Sequence, residues 1–233
     1  MTDPHVREAA RIVEAASNAR PAVIRSFFDG GTFTVTHVIS DPATAKAAVI
    51  DSVLDFDPAS GRTSFASADK VIEYIQSEGL EIEWLLETHV HADHLSAAPY
   101  FQEKLGGKLA IGRHILTVQE VFGKIFNESA RFARDGSQFD HLFDDGDRFT
   151  VGSIEAIALH VPGHTPADMT YVIGDAVRRT EKLTPCRIRE LTPSAEEGKT
   201  DDDCDHRVSC TDIGCAGRGD ASTRRGGRDG AVA

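Results

Sequence analysis

The residues with most chemical potential stand together in Thr88-His89-Val90-His91-Ala92-Asp93-His94, where three imidazoles and a carboxylate fall within six positions. A neutral imidazole is a strong ligand for zinc and iron, and a carboxylate adds a hard, anionic donor. A further histidine, His164, sits in His160-Val161-Pro162-Gly163-His164-Thr165-Pro166. There Pro162 and Gly163 make a tight turn, and Thr165 can support the ring by a local hydrogen bond. A single histidine is ordinarily a packed or solvated side chain, and two at i and i+2 arise often by chance. Three with an aspartate, joined by a fourth on a separate turn, are hard to explain by packing. His89, His91, Asp93, His94 and His164 are therefore the candidate metal ligands. Asp93 could also act as a general base on a bound water, although its histidine neighbours favour a role as ligand or orienter. His5, His37, His114, His141 and His160 lack such company and read as structural or solvent-facing. Tyr100, Phe126 and Phe132 are candidates for lining an access path, with core packing as the ordinary alternative. No residue that would bind substrate can be named from the sequence.

Such ligands need a rigid platform, and the pattern supplies one. Ile82 to Leu86 reads as a buried strand that ends at the histidine loop. Leu95 is expected to pack inward beneath that loop, and Ser96 to cap a helix over Ala97 to Leu105 that Gly106-Gly107 closes. Upstream, Ala22 to Phe28 and Thr32 to Ser40 read as a hairpin about Asp29-Gly30-Gly31. Ala47 to Ile50 is a short apolar strand ending at Asp51. Ser67 to Glu78 carries Val71, Ile72 and Ile75 at helical spacing and stops at Gly79. Downstream, Lys108 to Ile111 reads as a strand and Thr117 to Phe132 as a helix. Arg148 to Val161 reads as two strands about Gly152, and Met169 to Ile173 as another. Strands with interspersed helices indicate a layered α+β domain.

Composition sets the outer limits. The 233 residues suit one sizeable domain, here placed at 21–177, preceded by a helical extension over 1–20. After Val177 the chain has no aromatic residue and few large aliphatic ones, and it holds all four cysteines, Cys186, Cys204, Cys210 and Cys215. So little apolar surface cannot offset ordering entropy, so a disordered tail with free thiols is expected over 178–233. No Cys-x2-Cys pair accompanies His206, which argues against a zinc module there. The net charge of −12 argues against nucleic acid as a partner. No apolar run approaches the roughly 20 residues that cross a bilayer. The expectation is a cytoplasmic protein with a small-molecule substrate and no membrane or nucleic-acid partner; a homodimer is left open.

His-x-His-x-Asp-His after a strand, followed by Pro-Gly-His-Thr, resembles the metallo-β-lactamase superfamily. The stretch Asp51 to Arg62, the Thr88 to Ser96 loop and Pro162 to Asp175 are similar to its persulfide dioxygenase and β-lactamase-like hydrolase branch, with glyoxalase II a near relative. The resemblance spans about Pro21 to Val177. It implies an α+β fold, a four-layer αββα sandwich with the metal at one edge of two sheets, incomplete here in its second half. It also implies one Fe(II) held by two histidines, His89 and His164, and one aspartate, an arrangement that leaves faces open for dioxygen. In the two-zinc hydrolases of the superfamily, His91 would join His89 and His164 at one Zn(II), and Asp93 with His94 would hold the second.

Two elements of the family pattern have no counterpart. The bridging aspartate should follow one strand beyond Pro-Gly-His-Thr, and Asp175 comes too early, in the turn before that strand. The late histidine is also missing, since His206 has only charged and polar neighbours. The replacement of the family's C-terminal part, by frameshift or fusion, is the expectation, leaving apolar faces of the second sheet uncovered. Three functions follow from the resemblance: oxidation of a glutathione-type persulfide with one iron, hydrolysis of a thioester with two zinc ions, or a metal-binding remnant without turnover.

Overall fold

The computed structural model describes residues 3–18, 21–91, 94–125 and 133–178. A first helix, α1 (Pro4–Asn18), precedes an antiparallel hairpin of β1 (Val23–Phe28) and β2 (Val35–Ser40). The hairpin loop is built on Asp29, whose carboxylate accepts the amide and hydroxyl of Thr32 at 2.7 and 2.8 Å. Next come β3 (Lys46–Ile50), β4 (Val53–Asp57), β5 (Arg62–Ser64), α2 (Ala66–Ser77), β6 (Glu81–Leu86), β7 (Leu95–Ser96), α3 (Ala98–Leu105) and β8 (Lys108–Gly112). The described part ends with α4 (Ile115–Ile125), β9 (His141–Phe143), β10 (Arg148–Val151), β11 (Ile154–His160), β12 (Met169–Ile173) and β13 (Ala176–Arg178).

One sheet runs β1-β2-β3-β6-β8-β9, and a second runs β10-β11-β12-β13. In the first, β3, β6, β8 and β9 are parallel neighbours, so their carboxyl ends open on the same edge. That edge is where open α/β sheets place their ligands. A small third sheet, β5-β4-β7, flanks it.

Apolar burial arranges these sheets as layers. Ile39, Ile50, Leu86 and Phe143 of the first sheet pack against Val151, Met169, Tyr171 and Ile173 of the second. On the first sheet's other face, Val38, Val49 and Leu85 meet Val71, Ile72 and Ile75 of α2 and Phe101 of α3. On the second sheet's outer face, Ile157 and Val172 meet Ala9 and Ile12 of α1. The order is helix, sheet, sheet, helix, a four-layer αββα sandwich. The part of the sandwich expected to be incomplete follows Arg178 and lies outside the described residues.

Several local expectations change. Leu95 is 46% exposed rather than packed inward, because β7 pairs its backbone with Leu54 and leaves the side chain on the outer surface. The outer face of the second sheet is covered at Ile157 and Val172, by the N-terminal helix. The two- and three-residue strands β5, β7 and β9 are too short to show alternation. Ser96 accepts the Ala98 amide at 3.0 Å, but Ala97 holds the N-cap position of α3, with no side-chain cap bond.

Candidate metal centre

The site grows from the carboxyl ends of two adjacent parallel strands. Ile50 of β3 and Leu86 of β6 are in register, and the residues that follow each, Asp51 and Glu87, continue the ladder. The Asp51 amide donates to Leu86 O at 3.0 Å, and the Glu87 amide to Ala110 O at 3.0 Å. Two carboxylates are thereby fixed side by side below the histidine loop. Asp51 adopts φ +51°, a left-handed conformation that aspartate tolerates better than most side chains. Four contacts hold it: its carbonyl accepts Thr36 Oγ1, and its carboxylate accepts Thr88 N (2.8 Å), Thr88 Oγ1 (2.9 Å) and the His91 ring (3.1 Å).

These bonds also set the tautomers. The Thr88 hydroxyl has one proton, and it goes to Asp51 Oδ2, so the 3.0 Å contact between Thr88 Oγ1 and His89 Nδ1 is a donation from the ring. The lone pair of neutral His89 is left on Nε2. His91 differs: its Nε2 donates to Asp51 Oδ1 at 3.1 Å and to Glu87 Oε2 at 3.0 Å. One ligand atom from each of Asp51, Glu87 and His91 lies within 4.8 Å of the others, a group that could hold a cation. In the metal-free chain that position is held by hydrogen bonds.

Electrostatics separate the two rings. Burial, reinforced by the charge of His91, pushes His89 down to about 4, so its imidazole is neutral at pH 7. Burial also opposes charge on His91, but its hydrogen bonds to the Asp51 and Glu87 carboxylates outweigh it and raise the ring to about 10. Of the two acids, burial raises Glu87, whereas Asp51, equally desolvated, is held below the usual carboxylate range by its bond to His91.

His164 arrives from the second sheet, on the loop between β11 and β12. Asp168, buried in that loop, accepts the Thr165 amide and hydroxyl at 2.9 and 2.5 Å, and its carbonyl accepts the Val161 amide. The Met169 amide donates to Thr88 O at 2.9 Å, tying this loop to the histidine loop. The ring centres of His89 and His164 are 5.1 Å apart and nearly perpendicular, and those of His89 and His91 are 4.2 Å apart. Two imidazoles sharing one cation at N–metal distances of about 2.1 Å have ring centres roughly 5 Å apart, so the donor set fits a metal ion. His94 is buried, 4.1 Å from His91 between ring centres, with Nδ1 3.4 Å from Thr34 Oγ1.

Of the candidate residues, His89, His91, His94 and His164 are thus brought to one place. Asp93, Phe126 and Phe132 lie outside the described residues. Tyr100 stacks on Phe65 at 3.9 Å and donates to Asp69, on the α2–α3 side of the first sheet. Asp175 occupies the turn before β13 and accepts the Ala22 amide at 3.1 Å. Asp51, Glu87 and Asp168 were not singled out from sequence. For Asp51 and Glu87 the available signal was an acidic residue directly after a buried strand, a position where an unpartnered carboxylate would be costly; Asp168 directly precedes one.

Comparison with known proteins places these features in a family. The chain is similar to a probable metallo-hydrolase of Burkholderia pseudomallei strain 1710b, with 55% identity over 153 residues, 66% of this chain and 52% of that one. It is 49% identical to glyoxylase B2 of Dictyostelium discoideum over 137 residues, 58% of this chain and 47% of that one. It is 24% identical to the mitochondrial persulfide dioxygenase of Bos taurus over 165 residues, 71% of this chain and 53% of that one. The chain spans about half the length of these relatives. The family model described as metallo-beta-lactamase superfamily matches residues 30–177, the span from β2 to Val177 that carries all four converging histidines, and the chain belongs to that superfamily.

Proposed function

We propose that this chain acts as a persulfide dioxygenase, holding one Fe(II) through His89 and His164 and oxidising a small persulfide of the glutathione type to sulfite. The observation that carries this reading is the unequal treatment of the imidazoles. His89 offers a neutral ring with a free Nε2, and His164 stands across from it at 5.1 Å, while His91 is engaged by two buried carboxylates. A buried neutral imidazole facing an exposed one, with few protein ligands, suits iron and dioxygen better than a closed structural site. The likeness to the bovine persulfide dioxygenase supports the same reading.

Bound there, a ferrous ion would supply dioxygen activation, and Zn(II) in its place would supply a nucleophilic water. The chain's own residues do the positioning. The Thr88 hydroxyl donates to Asp51, accepts from His89 Nδ1 and thereby orients the His89 ring. Asp51 and Glu87 hold a proton on His91 Nε2 beside the centre. Asp168 and Thr165 keep the His164 turn closed.

A second reading, a thioester hydrolase of the glyoxalase II type with two Zn(II), draws on the buried His94 at 4.1 Å from His91 and on the likeness to glyoxylase B2. Metal analysis of the full chain purified without added metal separates them. About one equivalent of iron, with oxygen uptake and sulfite formed from glutathione persulfide, is expected. Two zinc ions with thioester hydrolysis would replace the first reading by the second. Weak metal retention with neither activity would reject both and leave a metal-binding remnant.

A further inference from the structure

His160 and His114, which have no part in the ligand set, face each other with ring centres 3.9 Å apart and planes inclined by 17°. His160 is the last residue of β11, and His114 stands just before α4 in the short link that follows β8, so the stack joins the two sheets beside the His164 loop. The His160 Nε2 lies 2.9 Å from the carbonyl oxygen of Pro166. A carbonyl only accepts, so Nε2 is the donor, and the ring spans the loop from its first residue to its far side. The His160 amide in turn donates to Asp145 Oδ1 at 2.8 Å, which anchors the ring's own backbone.

Apart from the Met169 amide on Thr88 O, the remaining closures of this loop come from within it. Asp168 holds Thr165 and Val161, the Gly163 amide donates to Thr165 O, and the Ala167 amide donates to Thr165 Oγ1. None of these fixes the Pro166 carbonyl, two residues beyond His164. We propose that His160 is a positioning residue for His164: its donation to Pro166, with the ring held flat by His114, sets where the His164 imidazole stands relative to His89. This rests on the metal-centre reading above. It assigns a role to a histidine whose sequence context gave it none.

Metal titration of the full chain and its variants tests the inference, using Co(II) absorption for affinity and thermal unfolding in chelator for the metal-free scaffold. His160→Ala is expected to weaken Co(II) binding by about tenfold, the lower end for loss of an outer hydrogen bond at a metal site, with metal-free unfolding little changed. His160→Gln retains a side-chain N–H donor and should recover most of the affinity. His114→Ala, which removes only the stack, should fall between the two. Unchanged Co(II) affinity in His160→Ala would overturn the inference. So would a drop in metal-free stability that accounts for the whole loss, or a failure of glutamine to restore binding. If the parent chain itself binds no Co(II), the metal-centre reading fails first, and this inference with it.

Discussion

Oδ1 of Asp51 and Nε2 of His91 lie 3.1 Å apart across 40 residues of sequence, joining the end of β3 to the middle of the histidine loop. The pair is buried, and the same carboxylate orients Thr88, which orients His89. Removing one member of a buried pair leaves the other charge without compensation. Asp51→Ala should therefore destabilise the fold by about 3–5 kcal/mol in urea unfolding. It also leaves alanine at φ +51°. Asp51→Asn tolerates that backbone and should lose less. A loss in Asp51→Ala no larger than that of a surface substitution would show that the pair is not what holds the loop.

The pH dependence of the metal-free chain has a definite sign. His91 is raised from 6.5 to about 10, so the folded state holds a proton that the unfolded state releases between those values. Its contribution is complete below pH 6.5 and is lost as pH rises through about 10. His89 is lowered to about 4, so the unfolded chain takes up its proton first, and this ring costs stability as pH falls below 6.5. Urea unfolding in chelator should show stability falling by ~2 kcal/mol or more between pH 6.5 and pH 10, and His91→Gln should flatten that limb. A wild-type limb that is already flat would contradict the assignment.

His89 and His164 should differ in what their loss does to the scaffold. His164 is exposed, so His164→Ala should change unfolding free energy by less than about 0.5 kcal/mol. His89 is buried, with its Nδ1 bonded to Thr88, and His89→Ala should cost about 1–3 kcal/mol. Both variants should lose metal affinity by more than about 100-fold, beyond what an outer-residue change produces. Isothermal titration with Zn(II) and with Fe(II) under anaerobic conditions reads this directly. Retention of wild-type affinity by either variant would remove that histidine from the ligand set.

Gly152 offers a test of the contact between the sheets, remote from the metal. It sits in the turn between β10 and β11 at φ +59°, and a Cβ there would meet Thr44 Oγ1 at 2.1 Å and Asp41 Oδ2 at 2.6 Å. Asp41 is the buried acceptor for the Ser153 amide and hydroxyl at 2.8 and 2.7 Å, so displacing it breaks bonds as well as packing. Gly152→Ala should cost about 2 kcal/mol or more. Its metal affinity, measured on the folded fraction, should match that of the parent chain.

The histidines were legible in sequence because imidazoles at that density have no common packing explanation, and Pro162-Gly163 marked the turn that carries His164. Asp51 and Glu87 were not, although each directly follows a run read as a strand. An acidic residue at a strand end looks the same whether it begins a solvated turn or lies beneath a loop. Their roles depend on β3 and β6 being parallel neighbours in register, a long-range fact that no local pattern encodes. The longer strands and α2 follow from alternation and helical spacing. Leu95 misled because hydrophobicity predicts burial, while its position in the two-residue β7 was fixed by backbone pairing with Leu54.

Helix α1 is the first element of the chain, yet it seats on β11 and β12, and the Arg11–Glu155 ion pair at 2.6 Å spans 144 residues. During synthesis the helix must therefore wait, with Ala9 and Ile12 wet, until almost the whole described domain has been made. Loop closure over that distance is slow, and the seating step falls late in folding. A chain shortened at its amino end would still assemble the first sheet with α2 and α3. It would reach the end of folding with Ile157 and Val172 facing water, a greasy strip ready to stick to another chain.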